Sequence, residues 1–241
     1  MAVAWEDRGL ILGVRRYGEH DAIVSVFTAE HGRQAGMVKG GAGRRLRGLL
    51  QPGNLVKAWW RARLDEQLGT LTCEPVAPYA AEAFSDPVHL GAVSATCAML
   101  ELVLPEREPH AALFLATVEL LAQFEAASGP SAYARWELLL LSEMGFGLDL
   151  TSCAVNGTTD ELSFVSPKSG RAVSAAGAGV YAPRLFKLPA FLRDAETIPE
   201  APDIAAALAL TGHFFDAHLF GPNGRDLPAA RQRLVDRLNQ T

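Results

Sequence analysis

The strongest constraint on the fold of this chain is a change in hydrophobic periodicity near Ser85. Before that point, short apolar segments with two-residue alternation are separated by Gly-rich turns, which is the pattern of β-strands. After it, apolar residues recur at the spacing of amphipathic helices. The sequence therefore predicts an α+β protein, with a β domain over residues 1–80 and a helical domain over residues 81–241.

Five strand-like segments precede the change. The clearest lies between Leu55 and Leu64, where Val56 and Trp60 fall on one face of the strand and Trp59 falls on the other. The remaining four cover residues 9–14, 22–27, 33–38 and 69–74. Five short strands joined by Gly-rich turns predict a small closed barrel, and an OB-fold has that strand count.

Helical stripes fill most of the second domain, which begins with the N-cap and first-turn pair Asp86-Pro87. Between about residues 150 and 180 the pattern becomes strand-like again. There, Leu162–Val165 and Arg171–Ser174 flank a run of turn residues. We therefore expect an α-helical bundle with a small β-hairpin insert.

Charge is distributed unevenly along the sequence, which the net charge of −5 conceals. Residues 1–80 carry 11 Lys and Arg against 8 Asp and Glu, whereas residues 81–150 carry 2 against 10. This split predicts two surfaces of opposite sign. Residues 31–64 contain no acid and eight cations, which are Arg33, Lys39, Arg44, Arg45, Arg47, Lys57, Arg61 and Arg63.

This acid-free segment is the best functional signal in the sequence. Alternation predicts one outward barrel face that carries Lys57, Trp59, Arg61 and Arg63, with the basic loop 39–48 beside it. Proteins that bind single-stranded nucleic acid combine a cationic groove with aromatic rings on which bases stack. The eight cations and Trp59 are therefore the candidate nucleic-acid site. The alternative is that Trp59 packs beneath the helical domain and the arginines keep the surface soluble.

The sequence contains no recognisable catalytic constellation. The Gly-rich segment Lys39–Arg45 lacks the Gly-Lys-Ser/Thr of a phosphate-binding loop, and Ala175–Gly179 does not join a strand to a long helix as a dinucleotide site requires. There is no Gly-x-Ser-x-Gly elbow and no His-Glu-x-x-His helix. We therefore expect no enzyme and no cofactor. A hydrolase in the helical domain is an alternative for which no nucleophile–base pair can be named.

The cysteines and the start of the chain indicate a cellular compartment. Cys73, Cys97 and Cys153 are too few and too scattered for a disulfide framework, which is typical of a reducing environment. The first residues carry acids where a signal peptide has a basic flank and an apolar core. No run approaches the ~18 apolar residues that a membrane helix needs. The sequence predicts a soluble cytoplasmic protein without a membrane partner.

Four segments carry a family resemblance. The longest is Gly9–Gly32, which holds Glu19 and Thr28 at a specific spacing, and the others are Val38-Lys39-Gly40, Leu50–Gly53 and Val165–Ser174. Together with the order of barrel, helical bundle and hairpin insert, these segments resemble the RecO family of bacterial DNA repair and recombination mediators. The resemblance covers essentially the whole chain.

This resemblance implies a protein that binds single- and double-stranded DNA, anneals complementary strands and helps load RecA onto strands coated by single-strand binding protein. It also implies RecR as a partner and association with the nucleoid during repair. An OB-domain protein that binds structured RNA, such as a translation or tRNA-processing factor, is the alternative. Strand annealing and a preference for long unstructured DNA would distinguish the two.

Many RecO relatives hold zinc with two Cys-x-x-Cys pairs in the insert, and this sequence departs from that pattern. It keeps Cys153, but Asn156 stands where the second cysteine would be, and Ser174 and Gly177 stand near the position of the second pair. One thiolate cannot form a four-ligand tetrahedral zinc site. We therefore expect a degenerate, zinc-ribbon-like insert without metal.

The charge of −8 on residues 81–150 predicts a helical surface that repels DNA and acidic peptides. The resemblance implies that the acidic tail of single-strand binding protein docks on this chain, so we place it at the basic C-terminal end, where cations border an apolar stretch. The residues of this expected docking surface are Phe215, Leu219, Arg225, Arg233 and Arg237. The alternative is that these arginines only solvate the last helix.

Overall fold

The structure is a computed structural model that describes residues 3–64, 67–125 and 127–240. Contacts within the chain divide it into two compact units, Met1–Phe124 and Glu125–Thr241. Strands dominate the start of the chain and helices follow them, which confirms the predicted α+β class.

Five strands lie at the start of the first unit: β1 (Val3–Tyr17), β2 (Asp21–Thr28), β3 (Gly32–Val38), β4 (Leu55–Ala62) and β5 (Gly69–Ala77). They close into a barrel in the order β1-β2-β3-β5-β4. Neighbouring strands pair antiparallel, except that β3 and β5 make a short parallel contact. This closed five-stranded topology confirms the predicted OB-like barrel.

Alternate residues of the strands fill the barrel, as the pattern of β4 predicts. Trp60 is 1% exposed, and its indole N–H donates to the carbonyl oxygen of Ala35 at 2.9 Å. A Cβ at Gly69 would lie 2.2 Å from the Trp60 ring, so β5 can pass this side chain only with glycine at that position. The outward-facing residues of β4 are thereby fixed as well, because the side-chain period of a strand is two.

Three helices follow the barrel in the described part of the first unit: α1 (Tyr79–Glu82), α2 (Pro87–Val103) and α3 (Ala111–Ala122). The Asp86 carboxylate accepts the backbone N–H of Val88 at 2.8 Å and that of His89 at 3.3 Å, which confirms the predicted N-cap of α2. α2 packs against β1, and α3 packs against β2. The sequence assigns these helices to the second domain, whereas their contacts place them in one compact unit with the barrel.

The segment between α2 and α3 covers the half of β3 that β5 leaves unpaired. The Arg107 backbone N–H donates to the carbonyl oxygen of Arg33 at 2.9 Å. Gly32, at the start of β3, has a φ of +64°, and a Cβ there would lie 2.1 Å from the carbonyl oxygen of Glu108. Only glycine combines this backbone conformation with such a close approach.

The second unit combines helices with a small sheet. Its helices are α4 (Gly129–Glu143), α5 (Ala175–Ala178), α6 (Ala201–Phe215) and α7 (Ala229–Leu238), and its strands are β6 (Leu162–Val165), β7 (Ala172–Ser174) and β8 (Phe186–Lys187). β6 and β7 form the predicted hairpin, and β8 pairs with the other edge of β6. The sequence does not predict β8, because two residues carry no periodicity.

A buried ion pair ties α7 to α4 in this unit. Arg231 Nε lies 2.7 Å from Glu137 Oε1, and Arg231 Nη2 lies 2.9 Å from Glu137 Oε2. Nη2 also donates to the carbonyl oxygen of Leu208 at 2.8 Å, and the Thr211 hydroxyl donates to the Glu137 carboxylate at 2.5 Å. Although burial acts to lower it, the charge of Glu137 raises the pKa of Arg231. The Arg231 guanidinium therefore keeps its charge beside the Glu137 carboxylate inside the fold.

One helical stretch of the described chain, Ala201–Asn223, is long and apolar enough to cross a membrane by length and composition. An 18-residue window of this 23-residue stretch has a mean hydropathy of 1.2, and 44% of that window is buried inside the structure. The core helix of a soluble protein passes the same test. α6 contributes Leu208, Phe214 and Phe215 to the buried core, so this stretch is weak support for a membrane span.

Candidate nucleic-acid interface

The outward face of β4 carries Lys57, Trp59 and Arg61, as alternation predicts. Lys57 and Trp59 are half-buried and Arg61 is exposed, while Trp60 between them faces the core. Arg63 lies just beyond the end of β4 and is also exposed. The structure thus brings three of the predicted contact residues, Lys57, Trp59 and Arg61, onto one side of the barrel.

An acid that is distant in the sequence lies on the same face. Glu6 of β1 pairs in register with Trp59. Glu6 Oε1 lies 2.5 Å from Lys57 Nζ, and Glu6 Oε2 accepts the indole N–H of Trp59 at 2.6 Å. The Lys57 ammonium also lies 4.8 Å from the centre of the Trp59 ring. Hydrogen bonds from Lys57 and then Trp59 lower the pKa of the Glu6 carboxyl, so Glu6 is ionised at neutral pH.

Residues 31–64 contain no acid, but acids from other strands lie on the folded surface to which these residues contribute. β1 places Arg8 opposite Lys57 on one side, and β5 places exposed Glu74 opposite it on the other. Cations and the carboxylates of Glu6 and Glu74 are interspersed on this face. The charge argument from the linear sequence overstates how positive it is.

Beside Trp59 the surface forms a groove of about 480 Å³. Trp5, Glu6, Trp59 and Arg61 line it, together with the buried Trp60, Ala4 and threonines of β5. Trp5 stacks on Trp60 with ring centroids 5.9 Å apart, and His31 stacks on Trp5 at 4.5 Å. Aromatic rings and a guanidinium beside an open groove are the groups on which bases of a single strand stack.

The loop between β3 and β4 holds the second group of predicted contacts. Leu46 and Leu49 pack against the barrel core, and Leu50 is 4% exposed. The Asn54 side-chain amide donates to the carbonyl oxygens of Gly48 and Leu49, both at 3.0 Å. These contacts anchor the loop and leave four cations exposed to solvent, which are Lys39, Arg44, Arg45 and Arg47.

Two of these arginines share a pocket with a cation that sequence reasoning missed. Arg44 and Arg47 line a pocket of about 400 Å³ together with Arg16 of β1. Arg16 Nη2 donates to the carbonyl oxygen of Glu19 at 2.8 Å. Guanidinium groups recognise phosphate through planar, bidentate hydrogen bonds, so a pocket with three of them suits a phosphate. The adjacent pair Arg15-Arg16 was the signal that could have identified Arg16.

The pocket and the β4 face are separate. Glu6 contacts the β4 face, whereas Arg16 lines the pocket at the other end of β1. The sequence predicts the basic loop beside Trp59, whereas in the structure the pocket of this loop and the groove beside Trp59 share no lining residue.

Arg33 is placed differently from the other predicted DNA contacts. Its side chain is 17% exposed, its Nε donates to the carbonyl oxygen of Leu104 at 2.9 Å, and its Nη1 lies 3.5 Å from Glu106 Oε1. The guanidinium is thus engaged within the first unit. We therefore do not include Arg33 in the DNA-binding proposal.

The expected docking surface at the C-terminal end is only partly exposed. Arg225, Arg233 and Arg237 are exposed, and Leu219 is half-buried. Phe215, by contrast, has 0% exposure and lies beside the buried Arg231 guanidinium. This corrects the assignment of Phe215 to a docking surface, because a side chain enclosed in the core cannot contact a peptide on the surface.

The insert brings together the four positions at which the family resemblance places zinc ligands. Cys153 Sγ accepts the backbone N–H of Ser174 at 3.2 Å and its hydroxyl at 3.3 Å. The Asn156 amide donates to the Ser174 hydroxyl at 3.4 Å, and the Gly177 N–H donates to it at 3.1 Å. One thiol, one amide and one hydroxyl do not fit a four-ligand zinc site. The absence of zinc from the protein stays a prediction.

The thiol in this cluster has an unusual pKa. Although burial acts to raise it, hydrogen bonds from Ser174, Asn156 and Val155 lower the pKa of Cys153 to about 6. Burial raises the pKa of both Cys73 and Cys97 to about 12. Cys153 is therefore ionised at neutral pH, while the other two remain thiols.

A further group of possible metal ligands lies at the turn between β2 and β3. Asp7, Glu30 and His31 place three potential ligand atoms within 4.8 Å of one another. The carboxylate of Asp7 also accepts the backbone N–H of Glu30 at 3.2 Å. Exposed acidic groups are often placed in this way without an ion, so the arrangement assigns no metal.

Two models of known protein families together match nearly the whole chain. A family model described as Recombination protein O N terminal covers residues 1–79, and one described as Recombination protein O C terminal covers residues 85–226. The chain belongs to the RecO family. The resemblance drawn from the opening motif is thereby confirmed.

Similar proteins carry the same family name. A DNA repair protein RecO of Cereibacter sphaeroides is 49% identical over 234 residues, which cover 97% of this chain and 98% of that protein. The DNA repair protein RecO of Rhodospirillum rubrum is 46% identical over 245 residues, with 99% and 97% covered. These relatives support a role in DNA repair and recombination for this RecO family member.

Proposed function

We propose that this chain is a non-catalytic recombination mediator that binds single- and double-stranded DNA through its barrel. It anneals complementary strands and helps load RecA onto strands coated by single-strand binding protein. The observation that carries the proposal is the combination, on one OB-like barrel, of Trp59 beside an open groove with a separate pocket lined by Arg16, Arg44 and Arg47.

The two sites supply different parts of the binding free energy. Base stacking on an aromatic ring is tolerant of sequence, and Trp59 offers such a ring because it lines the groove. Guanidinium groups in the pocket contact phosphates, and they release counterions when DNA binds. Base stacking and phosphate contacts together favour unpaired strands and do not depend on the identity of the bases. Annealing of arbitrary sequences requires binding of this kind.

The test is an annealing assay with complementary oligonucleotides, with and without single-strand binding protein. We expect annealing in both conditions and a loss of annealing when Trp59 and the pocket arginines are replaced together. Matched structured RNA serves as the competitor. Tight RNA binding without annealing of DNA would contradict the proposal and favour an RNA-binding factor.

For partners, we propose RecR and the acidic tail of single-strand binding protein. The tail docks at the C-terminal end of the second unit, where Arg225, Arg233 and Arg237 are exposed and Leu219 is half-buried. The function implies a cytoplasmic protein that associates with the nucleoid during repair.

The docking site is tested by titrating a labelled tail peptide. Because reversing two charges repels an acidic peptide, we expect Arg233→Glu with Arg237→Glu to abolish peptide binding. The affinity for naked DNA should stay within about twofold, a change of under ~0.5 kcal/mol. Unchanged peptide binding in the double variant would place the tail elsewhere.

A further inference from the structure

We infer that Glu6 occupies, in the DNA-free protein, the place on the β4 face where a DNA phosphate binds. Glu6 is then an intramolecular competitor of DNA. The inference rests on the proposed DNA-binding function. It deepens that function, because it identifies the residue that occupies the place of one DNA phosphate before DNA binds.

The hydrogen bonds of Glu6 are those that a phosphate would make. Its two carboxylate oxygens are divided between two donors, the Lys57 ammonium at 2.5 Å and the Trp59 indole N–H at 2.6 Å. A phosphodiester also presents two unesterified anionic oxygens and accepts hydrogen bonds from the same kinds of donor. The carboxylate therefore stands in for a phosphate on two groups that the proposed function assigns to DNA.

The strand ladder fixes this arrangement. Glu6 on β1 and Trp59 on β4 are register partners, so the carboxylate is held across from the indole by backbone pairing. Glu6 itself lines the groove together with Trp59 and Arg61. A base stacked on Trp59 would carry its own phosphate to the edge of the ring, where Glu6 now lies.

The Glu6–Lys57 pair is weak enough to be displaced. The side chains of Lys57 and Glu6 are 44% and 52% exposed. Ion pairs with this exposure contribute little to stability and are screened by salt. A strand that already contacts the distant arginine pocket approaches the β4 face at high effective concentration and can replace the carboxylate. An isolated anion lacks that advantage, so Glu6 favours long strands over short anions.

The test compares Glu6→Gln with Glu74→Gln in the full chain. Both residues flank Lys57 on neighbouring strands and both substitutions remove one negative charge, but the described structure shows an ion pair to Lys57 only for Glu6. The probe is a labelled thymidine oligonucleotide, and affinity is measured across a salt series. Glu6→Ala is measured as a second variant, and circular dichroism checks that each variant is folded.

We expect Glu6→Gln and Glu6→Ala to bind the oligonucleotide about threefold to fivefold more tightly than the parent chain. The salt slope should steepen by about 0.7, because the Lys57–phosphate contact then releases a counterion from the DNA without freeing a carboxylate that takes one up. Glu74→Gln should bind within about twofold of the parent.

Equal gains in Glu6→Gln and Glu74→Gln would overturn the inference, since a general charge effect would explain both. Unchanged affinity and slope in both Glu6 variants, with the parent binding DNA, would overturn it as well and leave the proposed function intact. No binding by any variant, including the parent chain, would overturn the proposed function together with the inference.

Discussion

At the scale of single residues, adjacent Trp59 and Trp60 have opposite roles because they lie on opposite faces of β4. Trp59→Ala should weaken single-strand binding by about 1–3 kcal/mol, the contribution of one stacked base, and should change the melting temperature little. Trp60→Ala should reduce the free energy of unfolding by about 3–5 kcal/mol, because it leaves a cavity in the barrel. Fluorescence anisotropy with labelled DNA and thermal denaturation measure the two effects.

Trp59→Phe is the control for Trp59→Ala, since it retains an aromatic ring but loses the hydrogen bond to Glu6. It should keep most of the DNA affinity that Trp59→Ala loses. If Trp59→Ala unfolds the protein instead, Trp59 supports the fold and is not a stacking platform.

The Cys153 thiolate should be visible by ultraviolet absorbance. We expect a titration with a midpoint of about pH 6, because the pKa of Cys153 is lowered to about 6 while those of Cys73 and Cys97 are raised to about 12. Cys153→Ser should remove it. Absorbance that rises only near the ordinary thiol pKa of 9.0 would show that the hydrogen bonds around Sγ do not hold the thiolate.

The same pKa predicts a pH dependence of stability. The folded-state value lies below the unfolded value of 9.0, so the thiolate stabilises the fold fully above pH 9. That contribution declines as the pH falls and is lost below about 6. The difference in urea midpoint between the parent and Cys153→Ser should therefore grow from pH 6 to pH 9.

At the scale of elements, α7 depends on the buried pair between Arg231 and Glu137. Arg231→Met leaves the Glu137 carboxylate buried without its cation, so we expect the second unit to lose about 3–5 kcal/mol of stability in urea denaturation. The double variant with Glu137→Leu should regain most of that loss, because no charge stays buried. Arg233→Met, on the exposed face of α7, is the matched control and should change little. An Arg231→Met chain as stable as the parent would show that the pair does not hold α7.

The elements that the sequence predicts are those with a long periodic pattern. Alternation in β4 and the helical stripe of α2 are both repeated several times, and the turn residues before Arg171 mark the hairpin directly. β8 has two residues and pairs only because β6 offers a free edge, so no local pattern precedes it. The placement of α2 and α3 with the barrel follows from tertiary contacts, which periodicity does not encode.

At the scale of the whole molecule, the sequence predicts which cations are close along the chain but not what strand pairing brings beside them. Glu6 meets Lys57 only through the register of β1 with β4, and Arg16 meets Arg44 through the consecutive pairing of β1, β2 and β3. Arg33 looks like its neighbours in the sequence, yet its guanidinium is partly buried and engaged by residues far along the chain. The residue types of the candidate site are thus predictable, whereas its charge balance and its division into two parts are not.

Contact between cations on the barrel and DNA phosphates predicts that single-strand affinity falls as salt rises. If about 4–6 phosphates are neutralised, the log–log slope should be near −3 to −4, and replacing Arg44, Arg45 and Arg47 with alanine should flatten it by roughly 2. A triple alanine variant at the exposed cations Lys168, Arg184 and Arg225 of the second unit should retain the parent slope. An affinity independent of salt, or a parent-like slope in the Arg44, Arg45 and Arg47 variant, would contradict such contact.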